Sequence, residues 1–71
     1  GDASAAAVRN MVKRFISQET PGKPLSDEAI CKLISDEGID LARRTVAKYR
    51  EMMNIPSSSQ RRMQARLANF S

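Results

Sequence analysis

Four cations fall within the eight residues 43–50, in the run Ala42-Arg43-Arg44-Thr45-Val46-Ala47-Lys48-Tyr49-Arg50-Glu51. At 100° per residue, Val46, Tyr49 and Met53 form one narrow apolar stripe with Ala42, and the projection sets Arg43, Arg44, Ala47, Lys48, Arg50, Glu51 and Asn54 opposite it. A cationic face of this kind meets a polyanion. Two consecutive arginines near a helix start suit major-groove reading, because the guanidinium fork matches the two acceptors, O6 and N7, on the edge of guanine. Ala47 lies among the cations, where a methyl group lets the helix come close to a groove floor. The bland alternative is a solvated basic face, which needs no ligand.

Other chemistry is poorly supplied. The sequence has no His and a single Cys, so neither a metal cluster nor a Cys–His or Ser–His pair can be assembled, and no phosphate-binding loop is present. Asp27, Glu28, Asp36, Glu37 and Asp40 stand where caps and turns account for them. The reading is therefore non-enzymatic, with no cofactor and no metal.

The elements that would position the run are legible from periodicity. Val8, Met11, Val12 and Phe15, widened by Ile16, predict an amphipathic helix near 5–18 with Ser4 as its N-cap. Arg9, Lys13 and Arg14 occupy its polar side, as a second basic patch or simply as a solvated face. Thr20-Pro21-Gly22-Lys23-Pro24 stops that helix. Ser26 caps a second helix near 26–35, with Asp27 and Glu28 in its first turn and Leu25 and Ile30 as a hydrophobic staple. Ile30, Leu33 and Ile34 give it a buried stripe, and Gly38 is its left-handed stop. Ile39-Asp40-Leu41 reads as an extended connector, with Asp40 as an alternative cap for a third helix near 42–53. The expected core comprises Val8, Met11, Val12, Phe15, Ile30, Leu33, Ile34, Val46, Tyr49 and Met53.

The resulting fold class is all-α, a three-helix domain over residues 5–56 containing a helix-turn-helix. Residues 1–4 read as an appended or disordered stretch, since the chain opens on Gly1-Asp2 without an initiator Met, and the whole reads as a domain excised from a longer chain. Residues 57–71 read as a basic flexible tail: Met63, Leu67 and Phe70 make only a thin stripe, expected to fray. With 71 residues and 4% aromatics, one modest aliphatic core is the ceiling. Residues 1–40 carry five basic and seven acidic side chains, whereas residues 41–71 carry seven basic and one acid, Glu51. The net charge of +4 is thus concentrated in the second half, as suits a polyanion met by one face. Lone Cys31 among Ile30, Leu33 and Ile34 reads as a small core residue of a reducing compartment. No apolar run approaches the roughly 20 residues that span a bilayer, so the expected location is cytoplasmic, with no membrane partner.

At Ala42–Arg50 the nine residues match, letter for letter, the signature called the RpoN box, and the chain resembles the bacterial sigma-54 family of RNA polymerase sigma factors. Lys23-Pro24-Leu25-Ser26-Asp27-Glu28-Ala29-Ile30 and Ile55-Pro56-Ser57-Ser58-Ser59-Gln60-Arg61 are similar to that family's flanks of the box. The resemblance covers roughly residues 4–62, and no role is carried over beyond Arg62. It implies a C-terminal domain that recognises the GG-containing −24 promoter element. In the family, the whole factor binds core RNA polymerase and waits for an ATP-dependent activator.

Carried over by position, Arg43 and Arg44 lie at the DNA-reading end, with Arg44 the first choice for guanine. Thr45, Lys48 and Arg50 are placed for phosphates. Tyr49 is favoured as structural by its ring, with a hydroxyl able to reach a phosphate. Ser57, Ser58, Ser59, Arg61 and Arg62 clamp the DNA backbone in one reading and belong to the flexible tail in the other. An asymmetric promoter element needs no two-fold dimer, so a monomer is expected. The rival reading is a protein-interaction module docking on polymerase or a regulator.

Overall fold

The computed structural model describes residues 4–70, with side chains through Ala68. The expectation for residues 1–3 and for Ser71 lies outside the described residues. Four helices follow one another: α1 (Ala5–Ser17), α2 (Asp27–Asp36), α3 (Arg43–Met52) and α4 (Ser58–Phe70). No strand forms among the described residues; an isolated bridge between Thr20 and Lys23 closes the Pro21-Gly22 turn, with the Lys23 N–H donating to the Thr20 carbonyl at 2.8 Å.

Local signals set the helix ends. The Ser4 hydroxyl accepts from the Ala7 N–H and the Ser26 hydroxyl from the Ala29 N–H, each at 3.1 Å, so each satisfies an amide that has no partner within its helix. At the other end of α2, Gly38 has φ 91°, and the Gly38 and Ile39 amides donate back to the Ser35 and Ile34 carbonyls. α3 ends the same way, with Asn54 in the left-handed position at φ 59° and the Asn54 and Ile55 amides donating to Glu51 and Arg50. Its start departs from one alternative: the N-cap is Ala42, without a side-chain bond, so Asp40 does not cap α3.

Val8, Val12, Ile30, Ile34 and Val46 are the buried centre, drawn from α1, α2 and α3. Met11, Phe15, Ile16, Leu25, Cys31, Ile39, Leu41, Tyr49 and Met53 pack around it. Leu33 is expected in this core from its spacing, and the structure leaves it half-buried outside the cluster. The reason is angular: Asp27, Ile30 and Ile34 repeat at i, i+3 and i+7 and define the inward face of α2, and Leu33 sits at its margin. Cys31 is half-buried, and its thiol donates to the Leu41 carbonyl at 2.9 Å, tying the connector to α2.

The larger departure is the tail. Residues expected to fray form α4. Its first turn is a reciprocal cap: the Ser57 hydroxyl accepts from the Gln60 N–H at 3.2 Å, and the Ser57 N–H donates to the Gln60 amide oxygen. Arg61 then anchors α4 to the body. The guanidinium donates to both Glu19 carboxylate oxygens, at 2.8 and 3.0 Å, and to the Leu25 and Pro56 carbonyls.

Candidate nucleic-acid interface

α3 packs against both α1 and α2 through Val46, which fixes the rotation of the helix about its axis. With Val46 inward, Arg43, Arg44 and Lys48 are exposed, and Thr45 and Ala47 are half-buried beside them. Arg44 and Lys48 are one turn apart on the side facing away from the core. Tyr49 packs against the core cluster, so its ring has the structural position favoured for it.

Arg50 does not share that outer face, which corrects its expected placement. It is 6% exposed, the one buried charged residue among those described. Its guanidinium spans both Asp27 carboxylate oxygens at 2.9 and 3.2 Å and donates to the Ile55 carbonyl at 2.9 Å. The physical reason is its spacing. Arg50 follows Val46 by four residues, one helical turn, so it borders the inward stripe instead of opposing it. Asp27 occupies the matching border of α2, one turn before Ile30. Burial of either charge alone would be costly; two forked, charge-assisted bonds and a carbonyl satisfy the guanidinium.

Arg61 requires the same correction. Its side chain and that of Glu19 are each 10% exposed, and every contact of the guanidinium is internal, so it cannot clamp a DNA backbone without first breaking that network. Ser57 is committed to capping α4. Of the other tail residues expected to form a clamp, Ser58 is half-buried, and Ser59 and Arg62 are exposed.

These assignments reshape the electrostatics. Asp27 and Glu19, both from the acidic first half, neutralise Arg50 and Arg61 of the basic second half. On α1, Arg14 pairs with Glu37 at 3.1 Å and sits over the Phe15 ring, so one member of that patch is also engaged. The outward charge of residues 41–71 is then carried by Arg43, Arg44, Lys48, Arg62 and Arg66, all exposed, against the single acid Glu51. Arg66, one turn beyond Arg62, has no role assigned by the sequence, because a tail that reads as frayed fixes no direction for its side chains; the i, i+4 spacing is the available signal. Between the end of α3 and α4 lies an open groove of about 680 Å³, bordered by Glu51, Asn54, Gln60, Met63, Gln64 and Leu67 among others. Among the described residues no helix is long and apolar enough to cross a membrane.

The arrangement is thus a basic helix held rigidly on a small helical body, and comparison with known proteins agrees. Residues 1–63 match the family model described as "Sigma-54, DNA binding domain". The chain is 56% identical over 63 residues to the RNA polymerase sigma-54 factor of Acinetobacter guillouiae, covering 89% of this chain and 13% of that protein. It is 55% identical over 62 residues to that of Escherichia coli, covering 87% of this chain and 13% of the relative, and 55% identical over 67 residues to that of Sinorhizobium fredii, covering 93% and 13%. The chain therefore spans about an eighth of the length of these relatives. With most of its length matched by a binding domain and not by an enzyme, the chain belongs to the sigma-54 DNA-binding domain family.

Proposed function

We propose that the domain reads the GG-containing −24 element of promoters by laying α3 in the major groove. Arg44 forks onto guanine O6 and N7, and Arg43 lies beside it at the entry of the helix. Ala47 allows close approach to the groove floor, while Thr45 and Lys48 meet phosphates. Ser58, Ser59 and Arg62 are available to the flanking backbone. Arg50 and Arg61 have no place in this contact set, since internal carboxylates hold both. A single domain suffices for an asymmetric element, so binding is monomeric, and the setting is cytoplasmic. As part of a longer factor, the domain would deliver core RNA polymerase to the promoter, where an ATP-dependent activator acts.

The observation that carries this reading is the exposure of Arg44 and Lys48 one turn apart on α3, within the box at 42–50. A mobility-shift comparison tests it, with a duplex containing the GG element set against a scrambled duplex of equal length. Preference for the GG duplex is expected. Equal affinity for both would favour the protein-docking alternative and sink promoter reading by this domain.

A further inference from the structure

α4 is not simply a continuation of the matched domain. The family model ends at residue 63, while the helix continues to Phe70. The close helix–helix packing of the fold is among α1, α2 and α3, and α4 is held chiefly through Arg61. Thirteen residues at 1.5 Å each make an arm of roughly 20 Å, consistent with a molecule 45 Å long and only 21 by 17 Å across.

The arm has three arginines and no acid. Arg61 faces the body, with Ala65 half-buried on the same side. Met63, Leu67, Gln60 and Gln64 border the groove. Arg62 and Arg66 form a separate edge that points to solvent, and neither has an ion pair among the described residues. Because Arg61 is fixed by four bonds to Glu19, Leu25 and Pro56, the direction of this edge is set by the body of the domain and not by a loose tether.

We infer that α4 is a second DNA-contacting element, whose Arg62–Arg66 edge grips the phosphate backbone outside the segment read by α3. The spacing suits a DNA strand, since the two side chains arise about 6 Å apart along the helix axis, and long arginine side chains so placed can reach neighbouring phosphates of one strand. Charge favours nucleic acid over a protein partner, because a row of arginines without acids has no self-complementary surface and matches a polyphosphate. The contact is independent of sequence, adding affinity and footprint while leaving discrimination to α3. It rests on DNA binding by the domain and not on which element is read.

The double variant Arg62→Gln/Arg66→Gln of the whole chain tests this by salt titration on a GG duplex and on a scrambled one. Each phosphate contact contributes about 0.9 to the log–log salt slope, so the slope should flatten by about 2 on both duplexes. Between roughly 50 and 200 mM salt, the parent chain would then lose about twelvefold more affinity than the variant. The preference for GG should be unchanged, and Arg62→Lys/Arg66→Lys should keep the parent slope. An unaltered slope overturns the proposal, as does equal flattening by the Lys pair. Absence of GG preference in the parent would sink the promoter reading alone, because the slope on the scrambled duplex would still report on α4.

Discussion

Replacing Arg50 by Ala separates a fold-holding arginine from a DNA-holding one. The side chain is 8% exposed, and its partner Asp27 is 22% exposed. The substitution removes two charge-assisted bonds to Asp27 and one to the Ile55 carbonyl, and it leaves a cavity next to Val46. Breaking a buried pair by removing one partner costs about 3–5 kcal/mol. Asp27 keeps enough exposed surface for water to recover part of that, so a loss of about 2–4 kcal/mol is expected, with hydrogen bonds to charged groups worth roughly 1.5–3 kcal/mol each as the check on scale. For a domain of this size the melting temperature would fall by about 10–30 °C. Thermal unfolding followed by circular dichroism reads it directly. Asp27→Ala should be destabilising as well, and the double variant should cost clearly less than the sum of the two. If Arg50 instead met a phosphate, the melt would be unchanged and the DNA salt slope would flatten by about 0.9. That pair of results would refute the assignment of Arg50 to the α2–α3 contact.

Exposed positions of α3 should behave in the opposite way. Arg44→Ala should lose roughly 1–3 kcal/mol of binding on a GG duplex and much less once the guanine is replaced, and Arg44→Lys should not restore discrimination, because an ammonium lacks the planar fork; equal losses on both duplexes, measured by mobility shift, would exclude base reading by this residue. Lys48→Ala should weaken all duplexes alike and flatten the salt slope by about one without changing the melt, whereas an unaltered slope would place Lys48 in solvent. Ile34→Ala or Val46→Ala should cost on the order of 1–4 kcal/mol in urea unfolding, since both side chains are fully buried. A silent result at either would mean the three-helix contact is misplaced.

The parts of the fold readable from sequence are those fixed by near neighbours. Ser4 and Ser26 cap their helices through amides three residues away, and Gly38 adopts the positive φ that glycine tolerates most easily. Periodicity finds Val8, Val12, Ile30, Ile34 and Val46, which do form the centre. What stays hidden depends on partners far along the chain. Arg50 meets Asp27 across 23 residues, and Arg61 meets Glu19 across 42. A helical projection treats a charge as an outward signal, and only the other helix reveals that the charge is neutralised inside. Asp27 has an adequate local role at the start of α2, which masks its tertiary one. α4 escapes sequence reasoning on the same grounds: its apolar stripe is thin, and its anchor is a buried ion pair rather than hydrophobic cover. For the interface itself, periodicity supplies Arg43, Arg44 and Lys48 on the exposed side of α3 but admits Arg50 to the same group, while Arg61 enters only through the resemblance, as one reading of a basic tail.

Arg50 and Arg61 also act on the short link between α3 and α4. Arg50 donates to the carbonyl of Ile55, and Arg61 donates to the carbonyl of the next residue, Pro56. Consecutive peptide units are thereby gripped from opposite ends, one by a guanidinium otherwise committed to Asp27 and the other by a guanidinium otherwise committed to Glu19 and the Leu25 carbonyl. Surface connections ordinarily accept changes of length easily. This one has no slack to absorb an insertion: one extra residue between Asn54 and Ser57 would pull at least one carbonyl out of its fork and swing α4 to a new bearing. Over evolutionary time the junction should therefore change its side chains more readily than its length, with the Thr20–Pro24 turn better able to lengthen at its exposed tip around Gly22, where a side chain would meet nothing within 4 Å.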